Sequence, residues 1–309
     1  MIVTKPAAAM AVSFFATCRA GVAVLALGAC AAFADYRDTV PVLRIGVVEN
    51  HVALTNPLKL EAVQQAFSKT LGIPIEIIRM RSYAALVDAH ASGRVGYAIH
   101  SARSYAATDA ACGCVIPFRT PVAADGSSGF RSVLAVGDSV TRPISELRIA
   151  YSNEDSVSGW QIPHQAMQAG SLETPQLVRA GTVAATITLY GAGEADGFFG
   201  WVPDIATAAG SDPSLLFGGW NRQMVLESDP VRVIWSSQRI PYGPHALHRS
   251  LPDDLLAALG AFLDQMPENE PGLLDIFEPF FAGGYVTPGL KDYENLQGLV
   301  VAPPDGGDG

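Results

Sequence analysis

A serine-rich turn at residues 153–163 carries the residue types and spacing that could bind an anion. It reads Asn-Glu-Asp-Ser-Val-Ser-Gly-Trp-Gln-Ile-Pro, follows a strand-like segment and opens a helix-like one. The first amides of a helix have no partner inside the helix, and the helix dipole is positive there. Ser156 and Ser158 add hydroxyl donors, and Gly159 leaves room for close approach. The turn predicts an oxyanion cradle, although an ordinary serine N-cap would use the same residues.

Three further patterns carry weaker indications of chemistry. Ser156 lacks the glycine two positions earlier that a nucleophile elbow requires. Residues 191–197 miss the G-x-G-x-x-G dinucleotide pattern by one residue and follow a helix instead of a strand. His245 and His248 are three residues apart, but no third metal ligand is near, so we expect a surface loop and a helix entry there. We therefore expect no catalytic residue, no metal site and no cofactor.

The segments that must position the turn alternate between strand-like and helix-like patterns. Asn56 and Pro57 are typical of a helix start, and Gly72 of its end. We predict strands at residues 42–48, 73–80, 95–99, 131–136, 148–152, 176–180, 196–201 and 231–236. We predict helices at residues 57–71, 83–91, 158–169, 182–191, 253–265 and 272–280. This βαβ order indicates an α/β fold in which parallel strands are covered by helices.

Two breaks in composition divide the chain. Residues 123–129 are small, polar and glycine-rich, and residues 227–230 interrupt the second run of strands and helices. Two breaks with α/β material on both sides predict two lobes joined by two crossovers, with a ligand in the crevice between them. We place one discontinuous lobe at residues 35–128 and 231–300, the other lobe at 129–230, and a disordered tail at 301–309.

Five segments match a known family in their order along the chain. They are a tyrosine, helix and Gly-Arg-Val strand at 83–97, a crossover at 124–136, the serine-rich turn at 155–163, a segment at 179–196 and a return strand at 231–244. Together they resemble the phosphate/phosphite/phosphonate-binding components of ABC transporters. The resemblance implies a type II periplasmic binding protein, with a mostly parallel sheet flanked by helices in each lobe and two crossovers.

The resemblance also implies which residues bind the ligand, a small phosphate- or phosphonate-like oxyanion. We expect the second lobe to hold it by Ser156, the backbone amide of Val157, Ser158 and Thr182, and the first lobe by Tyr83 and His100. Asp196 and Arg131 complete the expected set. The chain departs from the family pattern at three of these positions: Val157 replaces a threonine, Thr182 a histidine and His100 an aromatic residue.

Four of these residues have a structural explanation as well. Tyr83 could pack in the core at a helix start, and His100 could be a buried histidine whose hydrogen bonds are satisfied. Asp196 could be a strand-end acid that accepts a hydrogen bond from backbone. Arg131 could be a solvated hinge arginine. The sequence leaves these alternatives open.

The first 34 residues are typical of an export signal. A positively charged start, an apolar stretch and Ala32-Phe33-Ala34 form the pattern of a cleaved signal peptide. The motif that ends at Cys30 also resembles a lipobox, which would anchor the protein through a lipid. In the oxidising compartment that export implies, Cys112 and Cys114 favour a local disulfide over a metal site.

The predicted function is solute binding for an ABC importer in the periplasm, by a monomer whose partners are the ligand and a permease. The chain has a formal net charge of −10, which argues against nucleic acid as a partner. We expect contact with the membrane only through the permease or a lipid anchor. Two alternatives remain: a binding module that feeds a membrane receptor, and an enzyme on the same fold.

Overall fold

A computed structural model describes residues 35–49, 54, 56–154, 156–205, 230–279 and 281–296. The predicted signal peptide at 1–34, Cys30 and the predicted tail at 301–309 lie outside the described residues. Two mixed sheets, each of six strands and flanked by helices, form the described fold. No helix among the described residues is long and apolar enough to cross a membrane.

The first sheet is built from both ends of the described chain. Its elements in chain order are α1 (Tyr36–Thr39), β1 (Leu43–Val48), α2 (Pro57–Leu71), β2 (Ile75–Met80), α3 (Tyr83–Ala91), β3 (Tyr97–Ile99), α4 (Ala102–Cys112) and β4 (Val115–Pro121).

The second sheet takes the middle of the chain. Its elements are β5 (Gly129–Gly137), β6 (Arg148–Tyr151), a π-helical turn (Val157–Gln161) that runs into α5 (Ile162–Gln168), β7 (Gln176–Arg179), α6 (Val183–Gly191), β8 (Gly197–Pro203), β9 (Val231–Ser236) and β10 (Ile240–Pro241). The chain then completes the first sheet with β11 (His245–His248), α7 (Asp253–Asn269), α8 (Pro271–Phe277) and β12 (Tyr285–Val286).

Local sequence signals set the ends of α2. The Asn56 side chain accepts a hydrogen bond from the amide of Leu58, and Pro57 occupies the first turn, where its missing N–H costs nothing. Gly72 ends the helix with a φ of 70°, a conformation that a glycine adopts without strain. One face of the helix buries Phe67 against Phe277 and Phe262, with ring centroids 5.0 and 4.8 Å away. The capping residues and the buried face thus both support a helix over residues 57–71.

The strand pairing corrects two details of the sequence prediction. The sheets are mixed instead of mostly parallel: β1 pairs in parallel with β2 and β3, but β11 is antiparallel to β3 and β4, and β5 is antiparallel to β8 and β9. The chain returns to the first sheet at β11, after Pro241, whereas the sequence placed the return at residue 231. The reason is that β9 and β10 both pair with β5 and so stay with the second sheet.

Several elements were not predicted, among them α4, β4 and β11. The helix α4 and the strand β4 follow β3 directly, and β11 occupies the residues that the histidine pair led us to assign to a surface loop. His245 is fully buried in β11, so the predicted surface position of this residue is wrong. Cys112, the last residue of α4, and Cys114 form the local disulfide that the sequence left open.

Candidate functional site

A cavity of about 160 Å³ lies between the two sheets, and we call it the inter-sheet cavity. Residues that follow β3 line it from the first sheet, and residues of β5, β10 and the π-helical turn line it from the second. Its lining residues are Ser101, Ala102, Arg103, Phe130, Val157, Ile240, Tyr242, Gly243 and Leu296. Most of this lining is apolar, so a charge placed there would be poorly screened by solvent.

The first residues of two helices line this cavity. Ala102 and Arg103 begin α4, whose cap Ser101 accepts a hydrogen bond from the amide of Ser104 at 3.1 Å. From the other sheet, Val157 begins the π-helical turn that continues into α5. The first amides of a helix have no partner inside that helix and carry its positive dipole end, and the first residues of both helices line this one cavity. This arrangement favours an anion.

The hydrogen bonds of the serine-rich turn explain its shape. The Ser156 carbonyl accepts from the amides of both Trp160 and Gln161, at 3.0 and 2.9 Å, and this widens the first turn into a π-helix. The Ser156 hydroxyl accepts from the amide of Gly159 at 3.1 Å. A Cβ on Gly159 would lie 2.4 Å from the Ser152 hydroxyl oxygen, so the turn has no room for a side chain there.

Four predicted residues lie on the serine-rich turn or at the start of α6. Val157 lines the cavity, and its side chain packs against the apolar cluster that includes Ile240. Ser156 and Thr182 cap the helices that follow β6 and β7, and Thr182 accepts from the amide of Ala185 at 3.1 Å. Because β6 and β7 are parallel neighbours, both caps stand at the same edge of the sheet. Ser158, like Ser156, is half-buried next to Val157.

A second cavity, of about 290 Å³, lies on the side of the first sheet, and we call it the first-sheet cavity. It is lined by Val48, Tyr83, Ile99, His100, Ser101, Pro121, Gly243, Glu278, Pro279 and Phe281. Ser101 and Gly243 line both cavities, so the two spaces adjoin. Tyr83 and His100, the two residues predicted from the first lobe, are therefore brought to the cleft region.

His100 is nevertheless engaged within the protein. Its Nε2 lies 2.9 Å from Nδ1 of His90, and its Nδ1 lies 3.0 Å from the Ser104 hydroxyl. Burial lowers the pKa of His100 well below the ordinary value, with a smaller contribution from His90. These contacts match the alternative in which His100 is a buried histidine with satisfied hydrogen bonds.

Two predicted residues are tied to neighbouring strands. Asp196 precedes β8 and accepts a hydrogen bond from the backbone amide of Arg148, the first residue of β6, at 2.9 Å. It also pairs with the guanidinium groups of Arg148 and Arg142, and hydrogen bonding to Arg148 is the main reason that its pKa falls to about 2. Asp196 thus stands at the edge of the sheet opposite Ser156 and does not join the site. Arg131 donates to the carbonyl of Ser237 at 3.0 Å and so links β5 to the end of β9.

A buried polar triad lies beside the first-sheet cavity. The Tyr97 hydroxyl lies 2.5 Å from Nδ1 of His245, and Nε2 of His245 lies 2.6 Å from Oε1 of Glu278. Glu278 is only 5% exposed and lines the cavity. Burial, together with the nearby Glu278 carboxylate, raises the pKa of Tyr97 well above its usual range. Because the Glu278 carboxylate lines the first-sheet cavity, this cavity favours a hydrogen-bond donor or a cation as its occupant and disfavours an anion.

Arg103 is the charged residue among the cavity-lining residues that the sequence analysis missed. Its Nη1 is buried and has no hydrogen-bond partner, and its side chain lines the inter-sheet cavity. The sequence did carry a signal for this residue. Ser101 is a residue type that caps helices and comes just after a strand-like segment, and the basic Arg103 lies two positions after it. Among the described residues, no group of three or more histidine, cysteine or acidic side chains is arranged to hold a metal.

The chain was compared with protein-family models, with curated protein sequences and with solved structures. The family model described as "ABC transporter, phosphonate, periplasmic substrate-binding protein" matches residues 55–293. No curated protein sequence matches the chain. The solved structures include PhnD1 from Prochlorococcus marinus in complex with methylphosphonate, which is 17% identical with a TM-score of 0.52 and matches over 83% of this chain and 96% of that one.

A protein from Xanthomonas citri bound to ATP is 14% identical, with a TM-score of 0.58, and the match covers 84% of this chain and 95% of that one. At these identities the solved structures support the fold alone, a two-lobed type II binding protein. The match to the family model, over residues 55–293, is the finding that assigns the chain to a family.

Proposed function

Because the chain belongs to the family of periplasmic phosphonate-binding components of ABC transporters, we propose that it captures a small phosphate- or phosphonate-like oxyanion between its two sheets. It acts in the periplasm as a monomer and delivers the ligand to the permease of an importer. The family consists of solute-binding proteins, and the chemistry of the cleft fits capture without reaction.

One observation carries this proposal: the starts of two helices from opposite sheets line a single cavity. A phosphorus oxyanion offers acceptors in several directions, so it can bridge the amides at Ala102 and at Val157 at the same time. Ser156, Ser158 and Thr182 lie at or near the corresponding edge of the second sheet. A ligand that contacts both sheets would favour a closed arrangement of the lobes, as in other hinge proteins.

A thermal-shift titration tests the proposal. The purified protein is heated with phosphate, phosphite, methylphosphonate, sulfate or acetate, each over a range of concentrations. A ligand at a hundred times its Kd stabilises the folded state by about 2.7 kcal/mol, so binding gives a clear rise in Tm. We expect a rise with at least one phosphorus oxyanion and none with acetate.

The double variant Ser156→Ala, Ser158→Ala shows whether the serine-rich turn is involved. Loss of a cap alone costs about 1 kcal/mol, so the informative quantity is the ligand-induced rise in Tm, compared with that of Ser171→Ala. Ser171 is exposed and donates to the carbonyl of Ala166 on the same lobe, which makes it a matched control. An unchanged ligand response in the double variant would place the ligand elsewhere.

A further inference from the structure

We infer that Arg103 supplies the positive charge that holds the anionic group of the ligand in the inter-sheet cavity. This inference rests on the proposed function, because it names the charged partner at that site. The residue lies in the first turn of α4, two positions after the cap Ser101, and its side chain lines the cavity.

The first argument is the state of the guanidinium group. Nη1 of Arg103 is buried without a hydrogen-bond partner. A buried donor on a charged group costs free energy unless a partner satisfies it. Other arginines of this protein that lie near carboxylates are paired: Arg119 holds Asp264 at 2.7 Å, and Arg239 holds Asp204 at 2.6 Å. Because Nη1 itself has almost no accessible surface, an anionic ligand in the cavity would satisfy this donor once the guanidinium turns toward it.

The second argument is the chemistry of the wall opposite. Val157 provides an amide but no hydroxyl, and its side chain packs against the apolar cluster that includes Ile240. Neither it nor Thr182 carries a charge that could neutralise an anion. The two helix starts contribute only partial charges, so Arg103 is the full positive charge among the described residues that line this cavity.

The third argument concerns the form of the ligand. Arginine presents two N–H groups that match two oxygens of a phosphonate or phosphate, and such bonds are strong where water is excluded. The remaining wall is largely apolar, through residues such as Phe130, Val157 and Ile240. An oxyanion with one compact apolar substituent would place its oxygens at Arg103 and its substituent against the apolar wall. We therefore expect tighter binding of methylphosphonate than of inorganic phosphate.

Calorimetric titration with methylphosphonate and with inorganic phosphate tests the role of Arg103. Two variants are compared. Arg103→Met removes the positive charge, and Arg103→Lys keeps the charge but not the planar guanidinium that can donate two parallel hydrogen bonds. The control is Arg94→Met, since Arg94 is exposed and lies at the other end of β3 from Ser101. We expect the Kd for methylphosphonate to rise at least ~10-fold in Arg103→Met, which is the size of one charge-assisted hydrogen bond. The rise should be smaller in Arg103→Lys and absent in the control.

The stability of the ligand-free variants distinguishes ligand binding from a structural role. If only a ligand satisfies the buried donor of Arg103, Arg103→Met removes a donor without a partner, and the ligand-free protein should be no less stable than the wild type. A less stable ligand-free variant that keeps its affinity would make Arg103 a structural residue and overturn the inference. If the wild-type protein binds and both Arg103 variants keep its affinity, the inference about Arg103 is overturned and the proposed function is left intact. A wild-type protein that binds neither anion would refute the proposed function and this inference with it.

Discussion

The hydroxyl of Ser132 donates a 2.6 Å hydrogen bond to the backbone carbonyl of Ser158. Ser132 is fully buried in β5, the strand that follows the first crossover between the sheets, and Ser158 is the second residue of the π-helical turn. The crossover strand therefore fixes the start of the helix that faces the inter-sheet cavity. A movement of the crossover would change the direction of the amides at Val157 and Ser158.

The first prediction follows from this hydrogen bond. Ser132→Ala leaves the carbonyl of Ser158 without its side-chain donor, and a buried acceptor that loses its partner costs about 1–3 kcal/mol. We expect that loss in the free energy of unfolding, together with weaker binding of the preferred anion. Urea denaturation and calorimetric titration measure the two effects. Equal stability and equal affinity would show that the hydrogen bond does not hold the turn.

The second prediction concerns the glycine of the turn. A Cβ at Gly159 would lie 2.4 Å from the hydroxyl oxygen of Ser152 and 2.7 Å from that of Ser156. Gly159→Ala must therefore displace the two serine side chains or the turn itself, at a cost of about 1–3 kcal/mol for an overpacked site. Gly191→Ala is the matched control, because nothing lies within 4 Å of a Cβ at the end of α6. Urea denaturation should show a loss for the first variant and no loss for the second.

The fold was predictable where the chain carries its own boundary signals. Asn56, Pro57 and Gly72 mark both ends of α2, and the structure has these ends. The helix α4 carries no such pattern: it buries small and polar residues such as Ser104 and Thr108, so its sequence shows no apolar stripe of helical period. Strands β9 and β10 follow a break in composition, so the sequence analysis assigned them to the return to the first lobe. Their true place depends on pairing with β5, which is a contact distant in sequence.

The site was predictable only in part, for related reasons. Val157 was identified because its segment keeps the order of the anion loop, and the structure places it in the cavity wall. Arg103 was missed together with the helix that carries it. His245 was misread because a histidine pair with no further ligand resembles a loop, whereas its partners Tyr97 and Glu278 lie 148 and 33 residues away in the chain. Such contacts leave no local signal.

The third prediction concerns the pair of His245 and Glu278. Glu278→Ala leaves Nε2 of His245 buried without its hydrogen-bond partner, and a buried polar group that loses its partner costs about 1–3 kcal/mol. Glu278→Gln keeps a hydrogen-bond acceptor next to Nε2 and should cost less. Glu173→Ala, at an exposed position, is the control. Urea denaturation at pH 7 should rank the three variants in that order, and a small loss in Glu278→Ala would mean that the triad contributes little.

The fourth prediction is a loss of stability in mild acid. Burial lowers the pKa of His90 to about 3, and burial likewise lowers the pKa of His100 well below the ordinary value. In the unfolded chain both imidazoles titrate near the usual value of about 6.5. Below that pH the unfolded state binds protons that the folded state does not, so the free energy of unfolding falls as the pH falls. The window extends from about 6.5 down toward the folded pKa of His90, about 3.

The measurement is the slope of the unfolding free energy against pH between about 5 and 6, which lies above the usual pKa values of carboxylates. Each neutral buried histidine contributes a slope of up to about 1.4 kcal/mol per pH unit. His90→Gln should remove one such contribution, and the double variant His90→Gln, His100→Gln should remove both. The slope is independent of any constant loss of stability that the substitutions cause. If the double variant kept the slope of the wild type, the two histidines would not be the groups that the folded state holds neutral.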